Sequence, residues 1–333
     1  SPKTGSIGGW IAELAKTHRV VLLDQRGTGM SSPLSARNIT AVGDAQVQAE
    51  YTELFRADSI IADAEAVREV LLADRADKRW STIGQSFGGF LTLSYLSFAP
   101  QSLRDCRITA GLAPIRTSVD NVYQHTFDRM KERNEEYYSW FPEDAELATR
   151  IAEHLRTHKE YLPTGERLTD HRFQMAGHFL GGRWRERGLH YFLETAFAEG
   201  NDHLSNQFLT AMGAEVTFQA NPLYALMHET IYADGPADGV LPGIPGYELS
   251  PSPAPTNWSA ARVAASRPEF APDADRLLFT GEHIFPWYYE EDPSLRPLAE
   301  VANLLAEKKD WGRLYDHAQL HKNEVPVVAA AYN

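Results

Sequence analysis

The first regular signal along the chain is RVVLLD (19–24), a β-branched and leucine run closed by the glycine turn QRGTG, and it predicts a buried strand. GGWIAELAKTH ahead of it suits a short helix. From Asp58, DSIIADAEAVREVLLADR sets Ile60, Ala64, Val67 and Leu71 on one helical face, with Asp58 or Ser59 placed to cap the N-terminus. WSTIG (80–84) predicts the next strand, a helix follows from about Phe87 to near Pro100, and CRITAGLAPI (106–115) predicts another strand. This alternation points to an α/β fold, a mostly parallel sheet with helices on both faces.

After Ile115 the pattern changes. Residues 116 to 230 carry aromatic and charged side chains at helical spacing, with almost no strand-like runs. Residues 233–257 hold six prolines between Pro236 and Pro255 and predict irregular chain. RLLFTG (276–281) predicts a short strand, and SLRPLAEVANLLAEKKD (294–310) a helix with Ser294 as N-cap. VPVVAAAYN (325–333) predicts one more strand of the parallel sheet. The expected organisation is a first part of the core over 1–115, a large and mainly helical cap over 116–310, and a return to the core over 311–333.

Composition narrows the classes. With 43% hydrophobic and 23% charged residues, the 333-residue chain reads as globular and soluble. A net charge of −13 argues against a nucleic-acid partner. No apolar run is long enough for a membrane span. Cys106 is the only cysteine, which excludes an internal disulfide framework and a multi-cysteine metal site, and fits a reducing, cytoplasmic setting. SPKTGSIGG opens with neither an initiator methionine nor a basic-then-apolar leader, so a signal peptide is not expected and residues upstream of Ser1 are.

The chemistry concentrates in TIGQSFGGF (82–90). Gly84-Gln85-Ser86-Phe87-Gly88 matches the nucleophile-elbow pattern G-x-S-x-G between a predicted strand and a predicted helix. A sharp strand-to-helix turn lifts the serine hydroxyl clear of the sheet, with Gly84 and Gly88 expected to be small so that backbone passes closely. The helix N-terminus favours an oxyanion there, and the backbone N–H of Phe87 is the expected donor. The competing reading is a glycine-rich turn whose serine caps the helix. Serine rather than aspartate at this point argues for acyl transfer through an acyl-enzyme.

DQRGTGMSS (24–32) and GQSFGGFLTLSYL (84–96) together resemble the proline iminopeptidases, a branch of the α/β-hydrolases. DSIIADAEAVR, NPLYALMHETIYA (221–233) and FTGEHIFPW (279–287) look like the larger members of that branch, so the resemblance spans nearly the whole chain. It implies an α/β-hydrolase fold with a helical cap and a serine exopeptidase that removes N-terminal proline from small peptides, without metal or organic cofactor. Ser86 would be the nucleophile and Phe87 an oxyanion donor. Acidic cap residues would hold the free amine of the substrate. Glu229 is the best positional match for one, and Glu282 the favoured second, with Glu290 and Glu291 open beside it.

In this fold the triad acid follows a late core strand and the histidine comes later still. VPVVAAAYN runs to the last residue, and the family's upstream Gly-Gly-Pro-Gly loop has no counterpart at Gly8-Gly9-Trp10. No histidine present has the right place; His317 and His321 precede the last strand. The expectation is therefore a fragment of a longer enzyme, inactive alone. Two other readings stay open: a serine esterase or amidase on the same fold, and a non-catalytic hydrolase-like binding protein. Gly27-Thr28-Gly29 is too short for a dinucleotide fingerprint, and the pairs His154/His158 and His317/His321 lack the glutamate of a zinc protease.

Overall fold

In the computed structural model, which describes residues 8–115, 117–182, 185–198, 202–235 and 255–331, three parallel strands form a sheet in the order β1 (Trp80–Gln85), β2 (Leu103–Thr109), β5 (Val327–Ala330). A two-stranded hairpin, β3 (Glu160–Tyr161) with β4 (Arg167–Leu168), lies between them in sequence. Register fixes the faces of the larger sheet. Thr82, Cys106 and Val327 are aligned, as are Gly84, Ile108 and Ala329, while Ile83, Arg107 and Val328 alternate with them and point the other way. The strand expected at 325–333 is thus present in its central residues.

Four helices precede the sheet: α1 (Gly9–Leu14), α2 (Ala36–Thr40), α3 (Ala45–Glu53) and α4 (Ala57–Leu71). The elbow helix α5 (Phe87–Phe98) follows β1, and α4 and α5 pack together over the sheet through Ile61, Ala64, Tyr95, Leu96 and Cys106. Within the expected cap, 116–310, lie α6 (Val119–Trp140), α7 (Pro142–Thr157), α8 (Asp170–Phe173), α9 (Glu186–Glu194), α10 (Asn206–Glu215) and α11 (Pro222–Met227). After these helices run α12 (Ser259–Ala265), α13 (Tyr288–Glu291), α14 (Ala299–Glu307) and, past residue 310, α15 (His317–His321). The largest buried cluster joins the cap helices to Leu34, Ile39 and Ala49 from the start of the chain.

Two motif segments are tied directly. Arg26 of DQRG makes a two-pronged ion pair with Asp63 of DSIIADAEAVR, at 2.6 Å on each prong. Arg56, the residue before α4, is buried with its guanidinium 4.5 Å over the Trp311 ring; it donates to the carbonyls of Gly312 (3.1 Å), Thr230 (3.4 Å) and Ala233.

Several expectations need correction. RVVLLD forms no strand among the described residues, and Val21, Leu22 and Leu23 are exposed. A strand exists only where a neighbour offers its ladder, and hydrophobicity alone does not supply one. RLLFTG is also not a strand, although Leu277 to Thr280 are buried. Side chains take the place of a ladder there: Asn134 brackets Phe279 by accepting from its N–H (2.8 Å) and donating to its carbonyl (2.9 Å), and Gln174 donates to the Leu278 carbonyl (2.8 Å).

Neither Asp58 nor Ser59 caps α4; the helix begins at Ala57 with Arg56 in the N-cap position. Ser294 does not cap α14, whose N-cap is Leu298; its hydroxyl instead donates to Asp292 at 2.7 Å, because Pro297 interrupts the run with a 3₁₀ turn (Arg296–Leu298). Most of the proline-rich stretch, residues 236–254, lies outside the described residues.

Candidate active site

The turn between β1 and α5 places Ser86 at φ 53° and ψ −124°, a left-handed-side conformation that costs a non-glycine residue about 1–3 kcal/mol. Surrounding backbone holds it there. Its N–H donates to Thr109 O at 3.0 Å and its carbonyl accepts from Gly89 N at 2.8 Å. Three glycines make room. A Cβ on Gly84 would lie 2.1 Å from Gly88 O, one on Gly89 2.2 Å from Gly111 O, and one on Gly111 2.1 Å from Ser86 O. Gly88, expected to be small for the same reason, is not constrained: a Cβ there meets nothing within 4 Å. The backbone of residue 88 makes the crowding at Gly84, the packed-in glycine of the motif, and Gly89 just after the motif is as tightly placed.

Ser86 is exposed, and its hydroxyl caps no amide of α5, which removes the helix-cap reading. Phe87 is the first residue of that helix, where a backbone N–H has no intrahelical acceptor. Hydroxyl and free amide therefore sit on adjacent residues at the positive end of a helix dipole.

From this turn a file of aromatic rings leads into the cap. Phe87 lies 6.2 Å from Phe90, Phe90 5.9 Å from Tyr232, Tyr232 6.0 Å from Tyr123, and Tyr123 5.7 Å from His283. Both expected acids border this file.

Glu229 opens the 3₁₀ turn Glu229–Tyr232 and is buried rather than on a solvated helix face. Its Oε1 accepts from Ala260 N at 2.9 Å, at the start of α12, while Oε2 has no protein partner. Burial raises its pKa, against the lowering effect of the amides of Ala260 and Ser259, the Thr256 hydroxyl and the Arg262 charge.

Glu282 is exposed although its neighbours Gly281 and His283 are buried. The two acids act on common side chains: burial raises the phenols of Tyr123 and Tyr232, and the charges of Glu229 and Glu282 push both the same way. Tyr224 is raised by burial and by Glu282. The two alternatives have the following surroundings. Glu291 is engaged by Thr169 (2.8 Å) and His171 (2.6 Å), and Glu290 is exposed on α13.

Sequence reasoning missed Tyr123, Tyr224, Tyr232, His228 and His283. Two carried a usable signal, since Tyr232 stands three residues after Glu229 and His283 directly follows Glu282. The remaining histidine pairs have other partners. The His154 and His158 rings stack at 4.3 Å with His154 bonded to Glu160 (2.7 Å), and His317 meets Asp234 at 3.0 Å. Glu143, Asp144 and His190 bring potential ligand atoms within 4.8 Å of one another, but one Asp144 oxygen is held by the Tyr137 hydroxyl and by His190 (3.0 Å). The group sits at a junction of α6, α7 and α9, and the other Asp144 oxygen, Oδ1, is buried without a hydrogen-bond partner. Among the described residues no helix is long and apolar enough to cross a membrane.

A strained serine between strand and helix, over close-packed glycines and under a helical cap, defines an α/β-hydrolase fold, and the family model for that fold matches residues 4–161. The chain is 42% identical over 333 residues to a proline iminopeptidase of Aeromonas sobria, covering all of this chain and 73% of that protein. It is 37% identical over 325 residues to the proline iminopeptidase aneH of Aspergillus aculeatus, covering 95% of this chain and 68% of that one. The chain belongs to the proline iminopeptidase family.

Proposed function

We propose that this protein is a serine exopeptidase that releases N-terminal proline from small peptides through an acyl-enzyme. The observation that carries the reading is the buried Glu229 with its unpartnered Oε2, three residues before Tyr232, whose ring the aromatic file connects to the elbow. The names of both relatives support it.

A peptide's N-terminal ammonium binds between Glu229 and Glu282. The unpartnered Oε2 of Glu229 is a buried acceptor short of a donor, and an ammonium hydrogen supplies one. The apolar ring of proline packs against Tyr232, Phe90 and Tyr123. The first peptide carbonyl then faces Ser86. Attack by Oγ forms a tetrahedral intermediate whose oxyanion accepts from Phe87 N–H; collapse expels the remaining peptide, and water frees proline from the ester. We assign no residue to the base and the acid that serve Ser86. The core-and-cap division at 116–310 and action without a cofactor belong to the same reading.

The test is cleavage of a proline arylamide and its N-acetylated twin by the full-length protein. The expected result is cleavage of the free amine alone, abolished in Ser86→Ala and strongly weakened in Glu229→Gln. Equal cleavage of both compounds would move the protein to the general esterase or amidase class, and no cleavage by folded protein would leave the binding-protein reading.

A further inference from the structure

Glu282 stands at the apex of a three-residue turn. His283 N–H donates to Gly281 O at 2.8 Å, closing the backbone around Glu282 and pushing its side chain outward. The same residue closes the turn a second time. Gly281 N–H donates to Nδ1 of the His283 ring at 3.2 Å, so Nδ1 carries the lone pair and Nε2 the proton. Nε2 then donates to Thr126 Oγ1 on α6 at 3.0 Å. The ring lies flat on Phe127, 3.9 Å between centroids and 10° between planes. The Met130 side chain on α6 packs close against Gly281, where an added Cβ would come within 2.9 Å of it. Burial, with the nearby His228 and His178, holds the imidazole neutral by lowering its pKa to about 3, which keeps Nδ1 an acceptor. On the other side, burial lowers the pKa of His228 against the opposing pull of Glu282.

We propose that His283 is a positioning residue for the substrate amine. Through the Gly281 N–H···Nδ1 bond and the Nε2–H···Thr126 bond it fixes the turn that aims the Glu282 carboxylate at the ammonium. The inference rests on the reading of Glu282 as an amine ligand and extends it to a residue that touches no substrate. A flexible glutamate on an unbraced turn would lose side-chain and backbone entropy with each binding event; a braced turn has already lost it.

The test measures KM and kcat on a proline arylamide in the full-length enzyme. His283→Phe keeps the ring stack and loses both hydrogen bonds, and it is expected to raise KM about tenfold with kcat changed less than about twofold. His283→Asn places a carbonyl oxygen near the position of Nδ1 and is expected to bring KM back to within about threefold of the parent. In a Glu282→Gln background, His283→Phe is expected to add less than about twofold, because the carboxylate it positions is gone.

Equal losses in both backgrounds, or no rescue by asparagine, would overturn the proposal and leave His283 a packing residue. Glu282→Gln alone leaving KM unchanged would overturn it differently, by removing Glu282 from the amine site. Should His283→Phe fail to fold, Thr126→Val leaves the ring in place and unlocks Nε2, with a KM rise of about threefold expected and no change overturning the proposal.

Discussion

Two adjacent glycines of the elbow should respond in opposite directions to the same methyl group. At Gly89 an alanine Cβ would sit 2.2 Å from the carbonyl oxygen of Gly111, against an ordinary contact of 3.4 Å or more. About 1.2 Å of separation must therefore be found. The obstacle is backbone, which cannot swing aside as a side chain can, and Ile108 Cγ2 at 2.8 Å closes a second direction. Overpacking costs about 1–3 kcal/mol in general, and a clash against backbone belongs at the upper end, about 3 kcal/mol. At Gly88 the added Cβ meets nothing, and alanine gains about 1 kcal/mol of helix propensity in the first turn of α5.

Urea unfolding of Gly88→Ala and Gly89→Ala measures both, with a midpoint above the parent for the first and well below it for the second. Arylamide turnover should follow, since Gly111 also backs Ser86, and a displacement of about 1 Å at a nucleophile costs on the order of 100-fold. A Gly88→Ala variant less stable than Gly89→Ala would refute the packing account.

Glu229 has its pKa raised from 4.5 by burial, so the folded state holds its proton more tightly than the unfolded chain does. Its contribution to stability is full below pH 4.5 and is lost as pH rises through the folded-state value. Glu229→Gln should thus flatten the loss of stability between acid and neutral pH, visible as a smaller spread of urea midpoints, even while it weakens substrate binding. His171 carries the opposite kind of group. Burial lowers its pKa, but bonds to Asp170 and Glu291 outweigh that and lift it from 6.5 to about 9. The stability it adds is complete below pH 6.5 and disappears as pH rises through about 9, and unfolding midpoints of His171→Phe should lack that step. Arg56→Met strands buried carbonyls of Thr230, Ala233 and Gly312 and should cost about 3 kcal/mol in the same assay, with an unchanged midpoint counting against the arrangement.

The elbow was legible because its information is local: strand, tight turn and helix follow one another within TIGQSFGGFLTL, and each residue's role depends on neighbours a few positions away. Partnership across space was not legible. RVVLLD and RLLFTG have strand-like composition, yet pairing decides what a strand is, and side chains of Asn134 and Gln174 stand where a ladder was expected. The same limit applied at the site. Glu229 and Glu282 could be named from the segments containing them, but the sequence does not reveal that one is buried with an idle oxygen and the other perched on a turn. The motif marks Gly84 and Gly88 alike, and only Gly84 is confined by its local turn; the confinement of Gly89 comes from Gly111, more than twenty residues on, and no local pattern shows it.

Arg56 decides how the cap can move. Its guanidinium joins the start of α4 to the carbonyls of Thr230 and Ala233, on the expected cap side, and to that of Gly312, on the expected core side. A lid that swung open as a rigid body would have to pull these carbonyls off a buried cation, at a cost of several kcal/mol per opening. On the proposed division into core and cap, Arg56 is thus a rivet that resists rigid-body opening at this edge.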